Sequence, residues 1–300
     1  MNFQTWGMSG SLTTQHDEQR AFAEERLWYW IAEVDAACNR FTPSSEISRL
    51  NANPSAPMKM SATFELALVA ALEAYDATEG LCDPTILPAL LALGYDRDYD
   101  ELVASGDVTS AAPVPSLGRA GISLDYEHHL VTLAPGCQLD LGSSAKALVV
   151  DQVASDVAPF GGVVVEIGGD VAVRGRGPDG PWVIGVAESL TISGSEPRVS
   201  IGDGGIATSS STTRIWRVGD QIVNHIIDPR TGTFAASTYA VATISANSCR
   251  MANAFATAAL LWGEDAGYYI SQAGWSGRLV RHDGTVEFVG GWPREEETPS

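Results

Sequence analysis

The chain has 300 residues, 45% hydrophobic and 18% charged, the composition of a soluble globular protein with room for one large domain or two modest ones. Its 37 acidic against 18 basic residues give a formal net charge of -19, which argues against nucleic acid and anionic membrane surfaces as partners. An anionic cofactor held by a few local cations and backbone amides stays compatible with that charge.

The spacing predicts a first helix over 16–39, where Phe22, Leu27, Trp30, Ile31 and Val34 recur at helical intervals among charges. The segment before it, MNFQTWGMSGSLTTQHDEQR, has no basic region, no apolar run and no lipobox cysteine. A cytoplasmic protein without membrane insertion is therefore expected. The Ser-, Pro- and Asn-rich stretch FTPSSEISRLNANPSAP reads as a loop presenting polar groups, and Ser61 as the N-cap of a second helix over 61–79. An irregular turn and a short apolar helix follow in GLCDPTILPALLALGYDRDYDEL, then an exposed connection over 106–119.

From about residue 121 the apolar period changes. HLVTL, GVVVEIGG, VAVRG, PWVIGVAE, RVSIG, QIVNHII and AVATISA are predicted strands, interrupted by helices near 143–159 and 249–263. GRLVRHDGTVEFVG reads as a hairpin with an Asp-Gly turn, and the end of the chain as an acidic tail. These elements give an α+β class without regular β-α-β alternation. Cys38, Cys82, Cys137 and Cys249 stand far apart without a CxxC spacing, so buried thiols are expected rather than a zinc or iron–sulfur site.

Two motifs are decoys. GRGPDG (Gly175 to Gly180) matches the dinucleotide fingerprint GxGxxG, but Pro181 and a strand follow where a helix N-terminus would have to receive the pyrophosphate. SSAK (Ser143 to Lys146) imitates the SxxK of serine penicillin-binding enzymes, yet the RTG at 230–232 precedes the SAN at 245–247, the reverse of that family's order.

More informative is a series of polar clusters. In LDLGSSAKALVVDQV a strand is expected to end in Asp140, with Lys146 in the first turn of the next helix, an arrangement able to orient an anionic, hydrogen-bonding ligand or simply to cap the helix. VEIGGDVAVRG carries paired glycines that permit a close backbone approach or a bulge, and GIATSSSTTRIW reads as a hydroxyl-rich loop. In NHIIDPRTGT the Asp-Pro and Thr-Gly turn would aim His225 from a strand end. On the helix SCRMANAFATAALLWG, Asn253 and Thr257 lie four apart on one face, as a pair of interhelical hydrogen bonds or as oxygen ligands of a cation.

Taken in order, these clusters resemble the ApbE family over nearly the whole chain. SSEISRLN resembles its S-E-x-S-R-x-N loop, CDPTILPALLALGY its D-P-T-x-x-P…G-[FY] segment, LDLGSSAK its D-L-G-G-x-A-K turn, and VEIGGD its strand ending in G-G-D. IATSSS resembles A-T-S-G, HIIDPRTG matches H-x-I-D-P-x-T-G, and ANAFATA resembles A-D-A-x-A-T-A.

The resemblance implies a single T-fold-like α+β domain over 1–292, followed by an acidic tail at 293–300, that binds FAD between its halves with Mg²⁺ at the pyrophosphate. It implies an FAD:protein FMN transferase, which moves the FMN part of FAD onto a Thr or Ser hydroxyl of an acceptor flavoprotein and releases AMP. An FAD-binding relative with little catalysis, or an FAD pyrophosphohydrolase, are the alternatives. Carried over by position, the resemblance makes Trp6, Phe41, Leu93, Gly94, Tyr95, Asp140 and Lys146 contacts of FAD. It makes Ser143 (through a carbonyl of the 143–145 turn), Asn253 and Thr257 the metal ligands, and His225 the general base. The sequence departs from the pattern at Asn253, where the family has a metal-binding Asp, and at Ser143 and Ser210, where it has glycine. Asparagine keeps the shape and one ligand oxygen but lacks the anionic charge that magnesium favours.

Overall fold

The apolar runs of the second half assemble into antiparallel sheet, with helices laid on it. The computed structural model describes residues 1–105, 108, 110–186 and 196–294. In chain order, β1 (Asn2–Thr5) and β2 (Met8–Thr14) precede α1 (Arg20–Cys38), α2 (Glu46–Ala52), β3 (Met58–Lys59) and α3 (Ala62–Ala77). Next come α4 (Leu87–Ala92), α5 (Tyr99–Ser105), β4 (Ile122–Asp125), β5 (Leu130–Leu133) and α6 (Gly142–Val157). Strands β6 (Val163–Ile167), β7 (Asp170–Arg174), β8 (Trp182–Gly185), β9 (Arg198–Ile201) and β10 (Gly204–Ser210) follow. They lead to β11 (Ile215–Val218), β12 (Gln221–Asn224), β13 (Ile227–Asp228), β14 (Thr233–Phe234) and β15 (Tyr239–Ala246). The chain closes with α7 (Cys249–Trp262), α8 (Ala266–Gln272), β16 (Ser276–Arg281) and β17 (Val286–Val289).

The chain divides into two compact units. The first comprises Met1–Ile31, Lys146–Ser210 and Thr238–Ser300, and the second Ala32–Ala145 and Ser211–Ser237. The first is built on an eight-stranded sheet of order β1-β2-β6-β7-β10-β15-β16-β17. Its neighbours all pair antiparallel. Helix α7 lies on β10 and β15. Its alanines permit a close fit, and Gly205 of β10 permits more, since a Cβ there would stand 2.2 Å from the Cys249 backbone nitrogen. The second unit holds the β3-β5-β4 sheet, the ribbons β11-β12 and β13-β14, and an apolar cluster of Leu87, Leu90, Tyr95, Leu102, Trp216 and Val223.

Helices α1, α3, α4, α6 and α7 fall where the periodicity places them, and the Ser61 side chain accepts from Phe64 N–H as an N-cap should. The terminal hairpin forms as β16-β17, with Gly284 at φ 86° in its turn. GRGPDG is a turn closed by a Gly177–Gly180 bridge between β7 and β8. All four cysteines are free and buried.

Four expectations are corrected. The polar loop at 41–57 contains α2, because Ser45 caps Ser48 N–H while Ile47 and Leu50 give the short helix a buried face. The hydroxyl-rich loop at 205–216 is largely the inner strand β10 followed by β11; flanking strands β7 and β15 satisfy the β10 backbone whatever its side chains. The expected strand end at Asp140 is an extended segment whose backbone bonds go elsewhere: Asp140 N–H to Pro84 C=O, and both groups of Leu139 to the Asn51 side chain. QIVNHII is not one strand either. Asn224 turns its amide back onto the chain, accepting from Ile226 N–H and donating to Ala235 C=O, so β12 ends before His225.

Parts of three expectations lie outside the described residues: the end of the PWVIGVAE strand, Gly106, Asp107 and Thr109 of the connection, and positions 295–300 of the tail. Among the described residues no helix is long and apolar enough to cross a membrane.

Candidate functional site

In the second unit the family-pattern residues converge on one guanidinium. Arg40 pairs with Asp140 at 2.7 Å, both side chains nearly buried, and its guanidinium lies 4.1 Å from the Phe41 ring centre and 4.7 Å from that of Tyr95. Phe41 and Tyr95 are 6.1 Å apart, and Tyr95 packs 5.3 Å from Trp216. The Trp216 indole donates to Leu93 C=O at 2.9 Å, and Gly94 at φ 80° makes the turn that brings Tyr95 under this group. Phe41 remains exposed while Tyr95 is buried, so the cluster offers an aromatic face above a fixed base.

Asp140 has both oxygens engaged within the unit. Oδ2 holds Arg40, and Oδ1 accepts from Gly142 N–H at 2.7 Å as a cap of α6. Beside it Ala71, Cys82, Pro84, Ser143 and Ser144 line a shallow dent with Asp140. Ser143 is exposed in the first turn of α6. Burial first, and the nearby Asp83 second, push the Cys82 thiol up to about 12, so this wall carries no thiolate. His225 is half-buried in the link between β12 and β13. The turn after it is pinned by Asp228, whose C=O accepts from Thr231 and Gly232 N–H and whose carboxylate binds Arg230 at 2.9 and 2.7 Å.

The first unit contributes a second polar cluster. Trp6 sits in the β1–β2 turn at φ 49°. Asn253, buried on α7, donates through Nδ2 to Asp170 Oδ1 at 3.0 Å. Thr257, one turn further, shares a 3.1 Å hydroxyl contact with Ser209 of β10. Lys146 Nζ stands 3.7 Å from Asp170 Oδ2, an ion-pair distance beyond hydrogen bonding. Asp170 is 2% exposed; burial pushes its carboxyl up, while Lys146 and the Asn253 amide pull it down. Its Oδ2 is buried without a hydrogen-bond partner.

The fit to a divalent cation rests on the side-chain oxygens of Asn253 and Thr257, one turn apart on α7, and on an Asp170 Oδ2 that no hydrogen bond satisfies and that faces Lys146. Among the described residues no three His, Cys, Asp or Glu side chains gather to hold a metal, so such a site leans on neutral oxygens and on the ligand's own charge.

The N-terminus of α7 is itself held by an acid. Asp151 accepts from Cys249 N–H and Arg250 N–H, both at 3.0 Å, and Ser248 accepts from Met251 N–H. Sequence reasoning did not single out Arg40, Trp216, Asp151 or Ser209 as part of a site. Arg40 carried a signal as a cation next to Phe41 in sequence, and Ser209 as the serine of the segment that resembles A-T-S-G.

The sequence model of the ApbE family matches residues 6–276. The chain belongs to the ApbE family. It is 33% identical over 234 residues to an FAD:protein FMN transferase of Chlamydia trachomatis serovar D, covering 75% of this chain and 71% of that protein. It is 27% identical over 274 residues to one of Haemophilus influenzae, covering 88% and 78%. The fold is that of an ApbE protein from Thermotoga maritima (TM-score 0.81, 22% identity, 96% of both chains). It is also that of the Pseudomonas stutzeri flavinyl transferase ApbE (TM-score 0.78, 21% identity, 96% of this chain and 92% of that one).

Proposed function

We propose that this ApbE-family chain is an FAD:protein FMN transferase: FAD is the donor, a Thr or Ser hydroxyl of another protein the acceptor, and AMP the leaving product. The observation that carries the reading is family membership over residues 6–276 together with relatives of that activity matching most of the chain. In the transfer, the acceptor oxygen attacks the FMN-side phosphorus, the anhydride P–O bond to AMP breaks, and the hydroxyl proton passes to a base. Such a reaction depends on positioning and charge neutralisation more than on covalent help from the enzyme.

His225 is the proposed base. An imidazole nitrogen can take up the acceptor hydroxyl's proton, and the Asp228–Arg230 turn fixes the backbone that carries it. Phe41, Leu93, Gly94 and Tyr95 are proposed to receive FAD through the aromatic face over Arg40, with Trp6 a further flavin contact. Lys146 would meet a phosphate, and Asp140 would act on FAD through the α6 entrance it caps. Asn253 and Thr257 are the proposed ligands of Mg²⁺, which when bound would neutralise charge on the pyrophosphate.

The test mixes the purified chain with FAD, with and without Mg²⁺, and with and without a protein bearing an acceptor threonine. Acceptor-dependent AMP release with flavin fixed to the acceptor is expected, and His225→Asn should abolish transfer while leaving FAD affinity within a few-fold. AMP release independent of acceptor would indicate hydrolysis instead. FAD binding without AMP under any condition would refute the transferase.

A further inference from the structure

Asn253 poses a question of charge. A cation site built on Asn253 and Thr257 has no anionic protein ligand, and Mg²⁺ holds neutral oxygens weakly. The side chain facing Asn253 answers it. Asp170 opens β7 opposite Ile167 of β6 and Ala207 of β10, so three strands fix its backbone. Its Oδ1 accepts a hydrogen bond from Asn253 Nδ2, which fixes the amide with its NH₂ on the carboxylate and leaves its carbonyl oxygen as the acceptor end. Oδ2 is buried without a hydrogen-bond partner, and Lys146 Nζ at 3.7 Å is near it without bonding it.

We propose that Asp170 supplies the carboxylate of the cation site, the charge having moved across one hydrogen bond from α7 to β7. Oδ2 is the anionic oxygen presented to the cation, and Oδ1 positions Asn253 so that its carbonyl oxygen becomes a neutral ligand. In the metal-free protein Lys146 balances this charge; when the cation binds, the ammonium is released to the phosphate it is proposed to meet. This inference rests on the transferase reading for the existence of the cation site. The argument for Asp170 itself comes from the Asn253 bond and the unbonded Oδ2.

The consequence is a specific non-additivity. The pair Asp170–Asn253 contains one carboxylate and one amide, and exchanging them preserves both the hydrogen bond and the charge. Cation binding to the full-length chain is measured by isothermal titration with Mg²⁺ and by the Mn²⁺ electron paramagnetic resonance signal, each with and without FAD. Asp170→Asn is expected to weaken cation binding at least about tenfold. Asn253→Asp alone should strengthen it, at the expense of apo-protein stability, because two carboxylates would then face each other without a cation. The exchanged double variant Asp170→Asn/Asn253→Asp should return to within about threefold of the parent and so fall below Asn253→Asp, whereas a purely structural Asp170 would leave it as tight as Asn253→Asp. If Asp170→Asn fails to fold, the double variant still decides the matter, since its pairing is intact. Parent-like cation affinity in Asp170→Asn, or a double variant as tight as Asn253→Asp, overturns the proposal while leaving the transferase reading standing. A parent protein that binds neither the cation nor FAD overturns both.

Discussion

Replacing Asn51 with alanine should destabilise the second unit by roughly 2–5 kcal/mol. Asn51 projects from α2 to Leu139, accepting from its N–H at 2.7 Å and donating to its C=O at 2.9 Å. Leu139 is fully buried, so water cannot take over either bond without opening the segment. Each backbone group left unsatisfied costs about 1–3 kcal/mol, which sets the range. At about 2–4 °C per kcal/mol for a domain of this size, the melting temperature should fall by roughly 4–20 °C. Asn51→Asp should be no better. It keeps the acceptor for Leu139 N–H but turns a carboxylate oxygen on the Leu139 carbonyl in a buried place. The assay is thermal unfolding followed by tryptophan fluorescence, with FAD affinity measured in parallel. Affinity should fall as well, because Leu139 precedes Asp140, which carries Arg40 and caps α6. A midpoint within about 1 °C of the parent would show that Leu139 finds other partners and that the Asn51 bridge does not hold this segment.

Gly205→Ala should cost about 3 kcal/mol or more, since the new Cβ would meet the backbone of Ser248 and Cys249, which cannot rotate away; thermal unfolding of the variant checks it. Asp151→Ala should destabilise α7 by about 2–4 kcal/mol through two lost amide partners and a lost charge at the helix N-terminus, read as faster amide exchange over 249–252. Arg230, through its hydrogen bonds, holds the Asp228 carboxyl below the usual carboxylate range, so the stabilisation of the ion pair is complete above the unfolded value of about 3.9 and is lost as the pH falls through the folded one. The melting difference between the parent and Asp228→Asn should accordingly be present at pH 7 and shrink below about pH 4. Burial pushes the thiols of Cys38 and Cys82 up to about 12 and that of Cys137 up to about 11, so the folded chain should react with a thiol reagent at pH 8 only after denaturant is added.

Much of this protein was legible along the chain. Helix α3 announces itself through Ser61 and its apolar spacing, the terminal hairpin through Asp283-Gly284, and the family through motifs whose order survives even where Asn253, Ser143 and Ser210 depart from it. These are signals carried by neighbouring residues, and neighbouring residues fix turns, caps and short helices. Strand β10 was missed because Ala-Thr-Ser-Ser has no apolar alternation; its place inside the sheet is set by β7 and β15, which lie on either side of it in space. Helix α2 was missed because the polar content of 41–57 masked a buried Ile47 and Leu50. The pairing that matters most for the site was out of reach for the same reason. Asp170 and Asn253 are 83 residues apart, and no local pattern says that one will accept a proton from the other. The order β6-β7-β10-β15 and the seating of α7 on its inner strands decide that meeting, because they bring Asn253 on the helix to Asp170 at the start of β7.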